Sequence, residues 1–340
     1  MNISNNITAP CLLVAAMIIL ILFQSVFFTN SDVVYTDPEP KIQSNAENID
    51  QLTDDGINYI SLNNIKYKPD KFFILAVISN ICAFLLPAVF YVKLKGAGYS
   101  KNLKLELPKP KYISLSIYMF FVLISGTVLI NSLLFYFGKP NAGIESVLPF
   151  LFYTGGNPVY DMGVLISFVI LPAFCEELFF RSVLSAEYEK YGTFCAVMIT
   201  SAAFAMSHFS FKFFPSYFFA AIIFYILANI TNSVLFSMIL HAGYNFCSIY
   251  LWDKLLGVLK FEQNRIIFIF LTAVIFIVFI SFVLNNLESI YYKKAYNNEP
   301  SPVYLPENKH KSMLIVRLCK SFLSPTFIVA IIIFFVYVFI

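Results

Sequence analysis

Nine stretches of this chain are too apolar and too long to be the exposed segments of a water-soluble protein. They cover residues 11–28, 72–92, 113–136, 161–187, 193–211, 216–228, 233–251, 265–284 and 322–340. A helix needs about 20 apolar residues to cross a hydrocarbon core of about 30 Å, and fewer where protein shelters it. Inside a bilayer each backbone amide and carbonyl must bond within the protein, and a helix satisfies this segment by segment. The expected fold is therefore all-α, a polytopic transmembrane helix bundle of about nine spans with any active site buried between core helices. Composition agrees, with 59% apolar and 13% charged residues against roughly 25% charged in ordinary globular domains. The net charge of only +3 suggests a lipid bilayer and not nucleic acid as the partner.

Orientation follows from lysine and arginine bias in the loops. Loop 93–111 holds Lys93, Lys95, Lys101, Lys104, Lys109 and Lys111 against Glu106 alone, which predicts a cytoplasmic loop. Loop 285–321 is predominantly basic as well, whereas loop 29–71 is acidic and is expected outside. This divides the chain into an anchor helix with an acidic extracytoplasmic loop (1–71) and further membrane helices with a basic cytoplasmic loop (72–154). A helix core carrying the chemistry (155–255) and C-terminal membrane helices (256–340) complete it. The first apolar stretch lacks a basic flank and a small-residue cleavage site, so it reads as an uncleaved anchor. The six cysteines form no CxxC pair and lie in or beside apolar runs, which argues against a disulfide framework.

Against this background, Pro172-Ala-Phe-Cys-Glu176-Glu177-Leu-Phe-Phe-Arg181 stands out. Ionisable side chains are costly in hydrocarbon and default to a functional reading. On a helix Glu177 and Arg181 stand at i and i+4, in the favourable order for an ion pair. Glu176 is turned about 100° away from Glu177. That predicts one carboxylate neutralised by Arg181 and one free to face a cavity. Pro172 removes an amide donor and predicts a kink one turn earlier. A buried ion pair that only fixes packing would account for Glu177 and Arg181 but would leave Glu176 unpaired.

Of the three histidines, His310 lies in a polar loop and the other two lie in spans. His208 shares a helix face with Phe204, and His241 shares one with Asn245, while Gly243 permits close helix approach. If spans four and five turn near Tyr191-Gly192, Glu176 and His208 lie about 23 Å along their helices. If span seven starts near Ser233 on the same side, His241 and Asn245 lie about 12–18 Å deep. Glu176, His208, His241 and Asn245 can then meet in one buried, somewhat staggered layer. A carboxylate beside an imidazole can take a proton from water and direct it at a carbonyl. A second imidazole and an amide can hold the oxyanion. Alternatively, Glu and His could ligate a metal that activates the water, although no His-Glu-x-x-His is present. A proton-coupled transporter would also use such groups, but no repeated halves or paired broken helices support it.

Three motifs, Glu176-Glu177-Leu-Phe-Phe-Arg181, Phe204-Ala-Met-Ser-His208 and His241-Ala-Gly-Tyr-Asn245, occur complete and in order. Together they resemble the CPBP family, the CAAX-protease and bacteriocin-processing membrane endopeptidases also called ABI proteins, which include the type II CAAX prenyl endopeptidases. The resemblance covers residues 155–255. It implies that Glu176 and His208 activate the water, that His241 and Asn245 bind the oxyanion, and that Glu177, Arg181 and Phe204 support the site. It leaves the cofactor as zinc or none, since both metalloprotease and glutamate-protease descriptions exist in the family. It implies a peptide or membrane-protein substrate in the cell membrane. In the CAAX-processing members that substrate is prenylated and is cut from the cytosolic side. Bacteriocin self-immunity without catalysis is the alternative role that the resemblance carries.

Overall fold

The computed structural model describes residues 5–30, 69–96, 98–99, 103–137, 158–297, 318 and 322–339. The acidic loop 29–71, except for its helical ends, lies outside the described residues, as do His310, Cys319 and most of loop 285–321. Among the described residues the chain is an all-α helical membrane bundle, and each of the nine apolar stretches falls on helix. The helices are α1 (Asn5–Asn30), α2 (Pro69–Asn80), α3 (Leu86–Lys95), α4 (Ile113–Phe137), α5 (Pro158–Val164), α6 (Leu171–Glu177) and α7 (Ser185–Tyr188). They continue with α8 (Thr193–Ser207), α9 (Phe214–Thr231), α10 (Val234–Tyr250), α11 (Trp252–Gly257), α12 (Glu262–Tyr296) and α13 (Pro325–Phe339).

Five segments are long and apolar enough to cross a membrane: Phe73–Lys95, Pro110–Phe137, Asp161–Tyr191, Phe214–Thr231 and Glu262–Tyr296. The protein is therefore an integral membrane protein. The short sixth stretch of the sequence becomes the 18-residue helix α9. The fifth, by contrast, forms only the 15-residue α8, about 22 Å long and packed between α9 and α1. Helices α6, α8, α9 and α10 make the centre, α4 lies against α9 and α10, and α12 runs along the outer side of α4. Few residues of α12 are buried, as expected of a helix whose outer face meets lipid. It also continues past residue 284, where the sequence reading ended the span, to Tyr296. Lys293 and Lys294 in its last turn favour that extension, because cations stabilise a helix C-terminus.

The fourth span is a single rod interrupted by two wide, π-helical turns, Leu165–Ile170 and Leu178–Leu184. The irregularity expected around Pro172 takes the form of the first of these. A π turn spaces its hydrogen bonds one residue wider, which accommodates a proline lacking an amide donor.

The basic segment after α3 is more than the simple loop its composition suggests. Tyr99 donates to the Val183 carbonyl at 3.2 Å, and the Ser182 hydroxyl donates to the Leu103 carbonyl at 2.5 Å. The Val234 amide donates to the Lys104 carbonyl at 2.8 Å, and Ser233 Oγ donates to the Glu106 carbonyl at 2.6 Å. Leu105 and Ser233 form an isolated antiparallel bridge. Lys104, which is buried, pairs with Glu189 and donates to Ser185 Oγ at 3.1 Å, while Tyr225 donates to Glu189 at 3.0 Å. Burial pulls the Lys104 pKa below the ordinary lysine value, against the opposing pull of Glu189. On Glu106, hydrogen bonds from Lys109 and then Asn232 hold the carboxyl below the usual range. This clasp fixes the end of the Asp161–Tyr191 rod and the start of α10 at one end of the bundle. Removing one partner of a fully buried ion pair costs about 3–5 kcal/mol. Glu189 retains Tyr225 and is a quarter exposed, so Lys104→Ala is expected to destabilise by only about 1–2 kcal/mol. Thermal unfolding in detergent measures this.

Candidate active site

The wholly buried Glu177, the last residue of α6, is fully engaged. Its Oε1 lies 3.2 Å from Arg181 Nη1 and 3.0 Å from His241 Nδ1, and its Oε2 accepts from the Ser237 hydroxyl. Arg181, 1% exposed, donates from Nη2 to the Ala221 carbonyl at 3.3 Å. Its guanidinium lies over Phe204 at 4.4 Å and near Phe224 at 5.2 Å. Aromatic faces attract a desolvated cation by about 2 kcal/mol or more, which helps to hold a charge so far from water. Ser237 precedes His241 by one turn of α10, so both side chains reach Glu177 from the same face.

The hydrogen bonds define which nitrogen of each imidazole is available. A carboxylate and a carbonyl only accept. His241 Nδ1 therefore donates to Glu177, and His208 Nδ1 donates to the Phe204 carbonyl at 2.8 Å. In each ring Nε2 remains for other chemistry. His208 caps the C-terminus of α8 and stacks on Tyr217 at 4.1 Å. His241 stacks on Phe224 at 4.6 Å. Phe204 joins the two, with its ring centroid 4.7 Å from His208 and 5.5 Å from His241. Asn245, one turn beyond His241, has Nδ2 3.5 Å from the Val169 carbonyl, a marginal hydrogen bond. Between them Gly243 faces Phe120, where an added Cβ would come within 2.9 Å of the ring. The glycine thus lets α10 seat closely on α4.

Glu176 differs sharply from its neighbour. It is 8% exposed, and its Oε2 is buried with no hydrogen-bond partner among the described residues. Adjacent carboxylates thus sit in opposite surroundings, one saturated with donors and one with an oxygen unsatisfied. Glu177, Arg181 and His241 are in direct contact, whereas His208 joins them through Phe204 rather than through a bond to Glu177.

Two members of the cluster carry no role in the sequence reading. Ser237 was legible in principle, since it stands four residues before His241. Tyr217 was not, because it belongs to a different helix and meets His208 only through tertiary packing. No three His, Cys, Asp or Glu side chains among the described residues converge as a set able to hold a metal ion.

The family model described as Type II CAAX prenyl endopeptidase Rce1-like matches residues 158–247. No curated protein and no solved structure matches the chain. The matched segment contains all three motifs, from Glu176 through Asn245, and excludes α1–α4, α12 and α13. Residues 158–247 are thus similar to the Rce1-like, type II CAAX prenyl endopeptidases, the group the motifs resemble.

Proposed function

We propose that the protein is an intramembrane endopeptidase of a cell membrane that hydrolyses a peptide bond with a water activated by Glu176 and His208. The observation carrying this reading is the unsatisfied Glu176 oxygen beside a fully bonded Glu177. Glu176 takes a proton from water as the oxygen attacks the scissile carbonyl carbon, and His208 Nε2 orients that water. His241 and Asn245 donate to the oxyanion of the tetrahedral intermediate. Glu177 holds His241 through Nδ1 and is the counter-ion of the imidazolium whose Nε2 proton points away from Glu177. When the intermediate collapses, Glu176 returns its proton to the leaving nitrogen. The C–N bond breaks, releasing an acid and an amine. The substrate class is a peptide or membrane-protein segment, with prenylated peptides as one arm of the test.

The test uses purified full-length protein with prenylated and unprenylated peptides, with and without chelator, and mass spectrometry of the products. Cleavage of one peptide class supports the proposal, and intact peptides under every condition would overturn it. The chelator arm separates a metal-dependent from a glutamate-type enzyme.

Tyr217 supplies a second prediction. Its ring fixes the plane of His208, and such aromatic pairs are worth about 0.5–1.5 kcal/mol. Tyr217→Ala is expected to lower kcat by up to roughly tenfold, while Tyr217→Phe retains most activity because the stack survives. Equal losses in the two variants would assign the effect to the hydroxyl instead.

A further inference from the structure

Among the described residues, the cluster is closed towards one end of the bundle and open towards the other. Between Glu177 and the clasped end of the rod lie Phe179, Phe180, Ser182, Val183 and Leu184, none more than 1% exposed. Beyond them Ser182 and Val183 are tied to Leu103 and Tyr99 by the clasp. On the opposite side His208, Tyr217 and Asn245 are only half-buried. His208 leads directly into the Phe209–Phe213 turn, where Phe211 is 57% exposed and Lys212 is also exposed. Polar side chains continue in that direction, with Ser216 donating to Asn131 at 2.6 Å. The same turn packs beside the end of α13, Phe209 on Tyr337 and Phe211 on Phe339.

The two ends also differ in charge. Lys95, Lys104, Lys109 and Lys111 gather at the clasped end. The end of α12 with Lys293 and Lys294 joins them there, since Ser114 bonds Asn286 and Tyr118 stacks on Phe282. Lysine excess marks the cytoplasmic side. Glu176 lies about 22 Å along its rod from Tyr191 at 1.5 Å per residue, beyond the middle of a hydrocarbon core of about 30 Å.

We infer that the site takes its water and its peptide from the end bearing the Phe209–Phe213 turn, and that this end is extracytoplasmic. The substrates are then peptide segments presented at the outer face, not prenylated tails reached from the cytosol. This rests on the endopeptidase reading for its chemistry but not for its sidedness.

The experiment therefore has two parts on the full chain. Lys212→Cys and Lys111→Cys are each treated with a membrane-impermeant maleimide in intact and in lysed cells, with the unsubstituted protein as the cysteine baseline. Lys212→Cys is expected to gain label in intact cells as fully as after lysis, and Lys111→Cys only after lysis. The reverse pattern, or equal labelling of both in intact cells, overturns the inference. Membrane-anchored reporters then carry a cleavable segment on either the outer or the inner side of the anchor. Cleavage confined to the outer reporter supports the inference, and cleavage of the inner one overturns it. If neither is cut, the endopeptidase reading fails while the labelling still decides the sidedness.

Discussion

Glu176→Gln is expected to lower peptide hydrolysis by about 10²–10⁴-fold, the usual contribution of a general acid–base group, while leaving the protein inserted and folded. The amide has the shape of the carboxylate but cannot accept the proton of an attacking water. No ion pair is broken, because Arg181 pairs with Glu177 and not with its neighbour. Removing an ionisable group from a buried site relieves a desolvation cost, so the melting temperature is expected to stay level or rise. Activity and stability should therefore move in opposite directions. A Gln variant with unchanged turnover in a reporter-peptide assay would remove Glu176 from the mechanism. A variant that lost turnover only by failing to fold would show the fault in size-exclusion and melting profiles.

Arg181→Met tests the other half of the motif, and its effect falls on the fold. The substitution leaves the Glu177 carboxylate, 0% exposed, with only Ser237 and His241 around it. Deleting one partner of a buried ion pair in this way costs about 3–5 kcal/mol. The cation seated over Phe204 and Phe224 is lost as well. Thermal unfolding in detergent should register a large drop or an absence of folded material. Pairing it with Glu177→Gln removes the stranded charge, so the double variant is expected to recover much of the loss. A single variant within about 1 kcal/mol of the native protein would mean that the pair contributes little, as exposed pairs do.

What the sequence disclosed depended on the range of each interaction. The apolar stretches were legible because hydropathy is a local property, and so was the Glu177–Arg181 contact, four residues apart on one helix. Contacts between helices were not. Tyr217 on His208, and Phe204 between two imidazoles, arise only when α8, α9 and α10 assemble. The clasp escaped notice because Tyr99–Glu106 has the composition of a solvated basic loop. Its role comes from buried carbonyls and a buried lysine that find partners on α10 and on the rod. The wide turns were also hidden, since proline announces that a helix must adjust but not how.

Those wide turns impose a constraint on how this rod can vary. Each π turn holds one residue more than an ordinary helix would place there. Deleting a single residue from an ordinary turn of the rod would shorten it by only about 1.5 Å, yet rotate one half against the other by about 100°, whereas within Leu178–Leu184 the extra residue can be lost with the phase kept. One half bears the carboxylates, and the other is anchored by Lys104 and Tyr99. Outside the wide turns the rod can therefore accept changes of side chain far more readily than a change in residue count, because its angular phase, not its length, decides where Glu176 points.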